Sequence, residues 1–480
     1  MDHLEPRPVW AHFATLCAIP RPSKHEAALR GHLLGWAANL GLGSRVDGAG
    51  NLILEKPASP GREHRPGVIL QGHLDMVCQK NAGTLHDFHR DPIRPVRDGD
   101  WLRAPDTTLG ADNGIGVALA LAALEDPDLV HPALEVLLTV DEEAGMGGAR
   151  GLAPGSLAGR WLINLDTEAW GHFYLGCAGG MDVTFSQACR AEPAPEGWQA
   201  WDISLGGLLG GHSGIDIHRG RGHALDLLLD ALAALVRDQG ARIASLAGGT
   251  ARNAIPREAR ARVALPARAD PSATLRALLA AWHPALAGVD DGLVLGWQPA
   301  GTPGPVLNAG DQDDLLAYLG RAPRGVTAWS EDCPGVVETS LNLGVLTLDA
   351  SGCRGVFMVR SLVDDAAWHL AGRLIDLAAE CHIQAARQGP YPGWRPDPDA
   401  PLLALARQVY AREFAAEPGL QVIHAGLECG LFAASHPHLE MLSFGPDIHG
   451  AHAPGEAVDI PSVGRCWTFL KALLQELAQD

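Results

Sequence analysis

The stretch Val68-Ile-Leu-Gln-Gly-His-Leu-Asp-Met-Val77 decides the fold. Its apolar run is too short for a typical helix and ends in a His-x-Asp pair, as expected of a buried parallel strand that reaches its carboxyl edge. Ligands of open α/β sheets collect at that edge, so His73 and Asp75 are candidate site residues. Alternation along the strand predicts that both side chains lie on one side, where the carboxylate could hold the second ring nitrogen of a metal-binding histidine. The pair alone does not distinguish such a site from a surface ion pair.

Three further segments bring acidic residues to what the pattern predicts is the same edge. Asp112 lies in a glycine-rich turn before an apolar helix expected at Val117–Leu124. Asp141–Glu143 follow directly on the predicted strand Leu134–Val140, and Asp166 follows a fourth apolar strand. Adjacent carboxylates repel one another, so an acidic run at a strand end indicates either solvent or a bound cation.

These residues form a candidate metal-binding set. Its members are imidazole and carboxylate groups without a cysteine cluster: His73, Asp112, Glu143, Asp166 and one late histidine, either His449 or His452. Such ligands suit Zn²⁺, and also Mn²⁺ or Co²⁺. Five ligands exceed the three that an open catalytic zinc typically keeps, and they fit two metals that share one carboxylate. A spare adjacent glutamate could then shuttle protons. The alternative is that the acids are helix caps and turn residues.

Composition limits the classes of function. The chain has 480 residues, 47% of them hydrophobic and 19% charged, which is ordinary for a globular enzyme. Its formal net charge of −19 argues against nucleic acid and anionic membranes as partners. The start of the chain lacks a basic segment followed by an apolar one, so no signal peptide is expected. Nine cysteines without a CxxC pair predict reduced thiols and a cytoplasmic location.

The middle of the chain has a different pattern of predicted strands and helices. From Gly179 onward, strands and helices with hairpin-like links predict an α+β insert and not more parallel sheet. The segment Gln388–Pro398 is rich in proline, glycine and arginine, and we expect it to be the return linker. The polar segment His86–Asp91 has the composition of a metal cluster, but no strand flanks it, so we expect a solvated loop.

Several motifs together resemble one known family. The chain reads His73-Leu-Asp-Met-Val, Leu109-Gly-Ala-Asp-Asn-Gly-Ile-Gly, Asp141-Glu-Glu, Asn164-Leu-Asp-Thr-Glu, Gly210-Gly-His-Ser-Gly, Arg360-Ser-Leu, His424-Ala-Gly-Leu-Glu-Cys-Gly and Ala451-His-Ala-Pro. These motifs, in this order, resemble the aminoacyl-histidine dipeptidases, a bacterial branch of the aminoacylase/carboxypeptidase clan of di-zinc peptidases. The resemblance runs over nearly the whole chain.

The resemblance implies a role for each candidate ligand. One zinc would be held by His73 and Asp166 and the other by Glu143 and His452, with Asp112 bridging both. His452 matches the His-x-Pro position of the family, so His449 is expected to be at the surface or behind the ligands.

Two residues beside the ligands also receive roles from the resemblance. Asp75 would orient His73. Glu142 would be the general base that activates the water and later protonates the leaving amine.

The resemblance also implies roles for residues of the insert. His212 would stabilise the tetrahedral intermediate as an oxyanion donor. Asn253 and Arg360 would hold the carboxylate end of the substrate, for which the arginine fork is well suited. One departure from the family pattern is that Ala453 and Gly455 flank Pro454 where many relatives have serine or threonine and aspartate. No ligand is lost by this change.

The expected architecture is therefore α/β, with a mostly parallel central sheet flanked by helices and an inserted α+β lid domain. The resemblance implies a catalytic domain built from residues 1–178 and 394–480, and a lid built from residues 179–393. The lid would close over a dipeptide substrate. A homodimer formed through the lid is a further expectation from the family.

The first hypothesis for function is a dipeptidase that cleaves Xaa-His dipeptides such as carnosine. A related di-metal hydrolase acting on other dipeptides or on N-acyl amino acids is the alternative, since the same metal site serves both. A non-enzymatic zinc-binding protein would not need the spare carboxylate of Glu142. Nucleophilic hydrolysis by serine or cysteine is disfavoured because no Gly-x-Ser-x-Gly motif is present.

Overall fold

The computed structural model describes residues 1, 3–349 and 351–479. These residues divide into two compact units, each with its own hydrophobic core. The first unit comprises residues 1–176, 396–422 and 427–480, and the second comprises residues 177–395 and 423–426. Residues 423–426 thus group with the second unit, although the chain on both sides of them belongs to the first. The roles of catalytic domain and lid stay predictions.

The first unit is built on a mixed sheet, which has eight strands among the described residues. Their order across the sheet is Gly43–Val46, Leu52–Lys56, Leu134–Thr139, Val68–His73, Trp161–Asn164, Glu440–Ser443, His172–Cys177 and Gly419–Ile423. The four strands from Leu134–Thr139 to Glu440–Ser443 are parallel neighbours, and antiparallel strands extend the sheet on both sides. Every residue of Val68–His73 is buried, as expected of a central strand covered on both faces.

Helices cover this sheet. Those of the first unit are Arg7–Ala18, Ala27–Asn39, Ala111–Glu125, Gly147–Gly151, Pro401–Phe414, Glu428–Ser435 and Ile460–Leu477. The helix Ala111–Glu125 is apolar on nearly all sides and almost wholly buried, which is why its period gives little indication of a face. It begins six residues before the expected Val117, but its backbone is not helical at Asp112 and Asn113, so regular helix starts only after that kink.

A smaller sheet completes the first unit. Its strands, in order, are Ile448–His449, Ala457–Asp459, Trp101–Arg103 and Val96–Asp98, joined by antiparallel pairing. The pairing of Ala457–Asp459 with Trp101–Arg103 fixes the late segment around His452 to the connection that precedes the glycine turn.

The second unit is an antiparallel sheet with helices. The order across the sheet is Val294–Pro299, Gln199–Gly206, Ala259–Leu265, Arg242–Gly248, Val337–Asp349, Gly352–Ser361, Gly179–Gln187 and Gln384–Tyr391, and Gly325–Trp329 pairs with Val337–Asp349. Short pairs join Ala191–Glu192 to Val306–Leu307 and Gly211–His212 to Ala254–Ile255. Its helices are Ala224–Gln239, Ser272–Leu286, Ala309–Arg321 and Asp364–Glu380.

The predicted fold class is confirmed, with two corrections. The expected linker Gln388–Pro398 begins inside a strand, since Gln384–Tyr391 pairs with Gly179–Gln187. Pairing in this β-rich unit overrides the turn-forming composition of the segment. The parallel part of the central sheet is limited to four strands, because the outer strands return antiparallel. Within the described residues, no helix has the length and apolar character needed to cross a membrane.

Close packing of the helix Ala111–Glu125 gives a first testable prediction. A Cβ on Gly116 would collide with the backbone carbonyl oxygen of Leu165, which a side-chain rotation cannot relieve. We expect Gly116→Ala to lower the free energy of unfolding by about 1–3 kcal/mol. Urea denaturation followed by circular dichroism would measure it.

The matched control is Gly35→Ala, at an exposed position of the helix Ala27–Asn39 where a Cβ meets nothing within 4 Å. Alanine is the better helix former, so this variant should gain about 0.5–1 kcal/mol. Equal effects of the two substitutions would contradict the packing described for Gly116.

Candidate metal centre

The glycine turn before Ala111–Glu125 is held by one distant carboxylate. Glu456, which is 2% exposed, accepts hydrogen bonds from the backbone N–H groups of four consecutive residues, Leu109 to Asp112, at 2.7, 2.9, 2.8 and 3.2 Å. The amino end of a helix attracts negative charge, and its free N–H groups need acceptors. Glu456 satisfies both needs and thereby fixes the position of Asp112.

Asp112 faces two histidines with its two carboxylate oxygens. Its Oδ1 lies 3.1 Å from Nε2 of His73, and its Oδ2 lies 3.1 Å from Nε2 of His452. His73 ends the strand Val68–His73, whereas His452 lies in the loop after Ile448–His449. One carboxylate therefore connects residues that are 379 positions apart in the chain (452 − 73).

Each histidine also meets a second acid. Oδ1 of Asp166 lies 3.4 Å from Nε2 of His73, and Oε2 of Glu143 lies 3.1 Å from Nε2 of His452. One ligand atom from each of His73, Asp112 and Glu143 lies within 4.8 Å of the others, as required for a shared cation. All five candidate ligands thus lie in one cluster.

The three acids of this cluster outnumber its two histidines. Hydrogen bonds to Asp112 and Glu143 raise the pKa of His452 to about 11. Burial lowers the pKa of His73, but the carboxylates of Asp166 and Asp112 overcome it and raise that pKa well above its usual value. Protons on the two histidines therefore offset the acids. Bound cations do the same when histidine ligands are neutral.

Two further observations fit cations at this cluster. Burial raises the pKa of Asp166 to about 6, and the charges of Asp112 and Glu143 add to that rise. Oε1 of Glu143 is buried and has no hydrogen-bond partner in the described part of the chain. A buried carboxylate oxygen without a partner is costly, and a metal ion is one of the partners that such an oxygen accepts. The donor set of imidazole and carboxylate therefore fits Zn²⁺, Mn²⁺ or Co²⁺.

Asp75 lies beyond the end of the strand, which corrects the expectation that strand alternation aligns it with His73. The chain turns after His73 and brings Oδ1 of Asp75 to 3.5 Å from Nδ1 of His73. The same carboxylate accepts hydrogen bonds from the backbone N–H groups of Glu142 and Glu143, at 3.0 and 3.1 Å, and from Ser23 at 2.7 Å. Asp75 thus ties the histidine to the acidic loop.

Glu142 is half-buried beside the cluster. Burial raises the pKa of its carboxyl well above the usual range; the positive charge on His73 opposes that rise, and Asp166 adds to it. A carboxyl with a raised pKa next to a ligand cluster is typical of a proton-transfer group.

The segment of residues 20–26 anchors the cluster from outside it. Arg21 is 1% exposed and donates hydrogen bonds to the backbone carbonyl oxygens of Leu74, Asp75 and Gly110. A Cβ on Gly110 would overlap the guanidinium, so the glycine turn makes room for it.

The same segment also reaches the acidic loop. Oε1 of Glu26 accepts a hydrogen bond from the backbone N–H of Asp141 at 2.9 Å. Nothing in the composition of residues 20–26 signals these long-range contacts, and only the Pro-Arg-Pro break draws attention to the segment.

In the second unit, the backbone fixes the tautomer of His212. Its Nδ1 accepts hydrogen bonds from the backbone N–H groups of Gly214 and Ile215, both at 3.1 Å. The ring proton is therefore on Nε2, which can donate but cannot accept from Arg360, 3.5 Å away. Burial lowers the pKa of His212 to about 4, and the charge of Arg360 adds to that effect. At neutral pH the ring is a neutral donor.

Arg360 and Asn253 also lie in the second unit. Arg360 is 4% exposed, donates from Nη1 to the hydroxyl of Tyr391 at 2.9 Å, and keeps a buried Nε without a partner among the described residues. Asn253 is exposed, and its backbone carbonyl oxygen accepts a hydrogen bond from the backbone N–H of Ser213 at 2.8 Å.

The remaining candidates lie apart from the cluster. His449 is exposed, and its ring lies 4.5 Å from the ring of Trp101. In the segment His86–Asp91, Asp87 and Asp91 accept hydrogen bonds from backbone N–H groups of the same loop and point to solvent. This segment is a solvated loop.

The chain was compared with known proteins. The sequence model of "Peptidase family M20/M25/M40" matches residues 69–476. The cytosol non-specific dipeptidase of Escherichia coli K12 is 44% identical over 481 residues, covering 99% of each chain. The crystal structure of the aminoacylhistidine dipeptidase from Vibrio alginolyticus superposes with a TM-score of 0.93 at 43% identity, covering 99% of this chain and 97% of that one. Aminopeptidase PepT from Bacillus cereus shares the fold, with a TM-score of 0.58 at 15% identity and coverage of 99% and 100%.

The His212 geometry predicts an NMR result. In protein labelled with ¹⁵N-histidine, His212 should show an unprotonated Nδ1 and a protonated Nε2 at pH 7, and should titrate near pH 4. Because its pKa is lowered, its contribution to stability is present above pH 6.5 and is lost as the pH falls toward 4.

Comparison with a His212→Gln variant assigns the signal, and the exposed His449 provides a reference histidine in the same spectrum. A proton on Nδ1, or titration near 6.5, would refute the tautomer assignment.

Proposed function

The chain belongs to peptidase family M20/M25/M40, and from that premise we propose that it is a di-zinc dipeptidase that hydrolyses Xaa-His dipeptides such as carnosine. The observation that carries the proposal is the bridging position of Asp112, whose two oxygens face His73 and His452. The 43% identity to a protein described as an aminoacylhistidine dipeptidase supports the substrate class.

The proposed ligand sets follow the contacts of the cluster. His73 and Asp166 would hold one ion, Glu143 and His452 the other, and Asp112 both. When bound, two such ions polarise a carbonyl group and make a water acidic enough to ionise at neutral pH. Asp75 keeps His73 oriented from behind, because its carboxylate is itself fixed by three donors.

Glu142 is the proposed general base. Its carboxylate would take a proton from the attacking water and give that proton to the nitrogen of the leaving amine. The raised pKa suits this double role, because a carboxylate that binds a proton more tightly is also the better proton acceptor. Positive charge placed beside Glu142 would lower that pKa again and favour the carboxylate form.

The second unit would supply the remaining groups and act as a lid. His212 would donate from Nε2 to the oxygen of the tetrahedral intermediate, a role that a neutral ring with the proton on Nε2 suits. Arg360 and Asn253 would bind the terminal carboxylate of the substrate. The resemblance also suggests a homodimer formed through this unit. The name of the E. coli relative suggests a cytoplasmic location.

The alternative is a broader hydrolase of the same site, acting on other dipeptides or on N-acyl amino acids. The relative named a non-specific dipeptidase favours breadth among dipeptides. Residues around the side chains of the substrate decide between these possibilities, and the metal ligands do not.

Metal removal and a substrate panel test the proposal as a whole. Protein stripped with a chelator should lose activity and regain it with zinc, at about two ions per chain. The refilled protein should cleave β-alanyl-histidine and prefer histidine at the C-terminal position. Two bound ions without Xaa-His cleavage would move the substrate to another class, and the absence of bound metal would overturn the ligand assignment.

A pair of variants distinguishes the proposed base, Glu142, from the neighbouring proposed metal ligand, Glu143. Glu142→Gln cannot accept a proton, so kcat should fall by about 10²–10⁴-fold while both metals stay bound. The matched variant Glu143→Gln should lose metal, because its carboxylate is a proposed ligand. Kinetics combined with metal analysis of both proteins checks this prediction. Full activity of Glu142→Gln would exclude the assigned base.

A further inference from the structure

Glu428 is a buried carboxyl group that the proposed mechanism does not use. It begins the helix Glu428–Ser435 of the first unit and is 1% exposed. Charged residues are almost never buried this completely unless they are paired. The contacts of Glu428 therefore need an explanation.

One carboxylate oxygen of Glu428 is fully occupied. Oε2 accepts hydrogen bonds from Nε2 of Gln71 at 2.6 Å and from the hydroxyl of Thr139 at 2.7 Å. Gln71 is itself oriented, because its Oε1 accepts a hydrogen bond from Nδ2 of Asn164 at 2.5 Å. The amide of Gln71 thus presents its N–H to Glu428, and Oε2 is fixed in place.

These contacts put Glu428 beside the metal ligands. Gln71 precedes His73 by two positions in the same strand, so their side chains share a face of the sheet. Thr139 is the register partner of His73 in the neighbouring strand. Gln71 and His73 are roughly 7 Å apart along the strand, and Glu428 contacts Gln71 and the register partner of His73, so it lies close enough for the charge of His73 to act on it.

The other oxygen, Oε1, lacks a partner. It is buried and accepts no hydrogen bond from any residue that the structure describes. Burial raises the pKa of Glu428 to about 8, and the negative charge of Asp166 adds to the rise. Glu456 offers the contrast, since it is equally buried but all its acceptor positions face backbone N–H groups.

We propose that Glu428 binds the terminal ammonium group of the substrate through Oε1. The inference rests on the proposed dipeptidase function and adds a determinant of specificity. The ammonium nitrogen of a dipeptide lies two bonds from the scissile carbonyl carbon, or three in a β-alanyl peptide, which is roughly 2.5–4 Å. A charge-assisted hydrogen bond adds about 2.8 Å. The sum, roughly 5–7 Å, is the largest distance from the scissile carbonyl carbon at which Oε1 of Glu428 could bind that ammonium group.

This assignment explains why a carboxyl group is retained at a fully buried position. A cation at Oε1 supplies the missing partner and stabilises the carboxylate. It also excludes N-acyl amino acids as good substrates, because an acyl group without an amine would leave Glu428 buried and unpaired. Glu428 would thus select a free amino terminus.

The test compares two substrates that differ only in the amine, β-alanyl-histidine and propionyl-histidine, on the zinc-loaded protein. The unchanged protein should prefer β-alanyl-histidine by about 10²-fold in kcat/KM, as expected of a buried charge pair. Glu428→Gln should remove most of that preference by lowering kcat/KM for the amine substrate, and should change kcat/KM for propionyl-histidine by less than about threefold. If propionyl-histidine is cleaved too slowly to follow, its inhibition constant replaces kcat/KM.

Glu456→Gln is the matched control, since it removes one charge from an equally buried carboxyl group that has no free oxygen. It should affect both substrates by the same factor. An equal loss on both substrates in Glu428→Gln would overturn the proposal and leave a structural role.

Should Glu428→Gln fail to fold, the unchanged protein still decides, because a preference near one for the amine substrate would also overturn the proposal. Failure of the proposed function itself looks different, since the zinc-loaded protein would then not cleave β-alanyl-histidine at all.

Discussion

Repulsion among carboxylates is the constraint on which the first unit depends. Asp112, Glu143 and Asp166 meet within a few ångströms at the edge of four parallel strands. Groups outside the cluster fix the backbone of Asp112 and Glu143, and Asp75 behind them. Backbone N–H groups hold Asp75, a distant glutamate caps the turn of Asp112, and the guanidinium of Arg21 joins the loops from behind. The fold thus keeps together charges that would separate in a free chain.

The parts of this arrangement that follow from strand topology could be predicted from the sequence. Parallel strands end at a common edge, so residues just after them, such as His73, Glu143 and Asp166, were expected to meet. The α+β character of the insert could also be predicted, because hairpin-like links are signals in the local sequence. Choosing His452 over His449 required the family resemblance, because both histidines occur in similar loop sequence. In the structure, His452 faces Asp112 whereas His449 lies against Trp101.

Long-range polar contacts could not be predicted in this way. Arg21 and Glu428 act through two or three hydrogen bonds each to residues tens or hundreds of positions away, and no periodicity marks them. The tautomer of His212 depends on two backbone N–H groups whose directions come from a tight turn. The position of Asp75 was misjudged because the strand ends at His73, and alternation has no meaning beyond that point. These features depend on tertiary geometry, which composition and spacing do not encode.

The cap that Glu456 places on the glycine turn also has a consequence for biosynthesis. Its hydrogen bonds join residues that are 344 to 347 positions apart. At roughly 5–20 residues per second, a ribosome finishes Glu456 some 20–70 s after Asp112. During that interval the parallel strands can form, but the turn lacks its cap and the cluster lacks its second imidazole. The complete set of candidate ligands therefore first exists after His452 and Glu456 have been synthesised, and the contact order of the cluster makes its assembly a late event in folding.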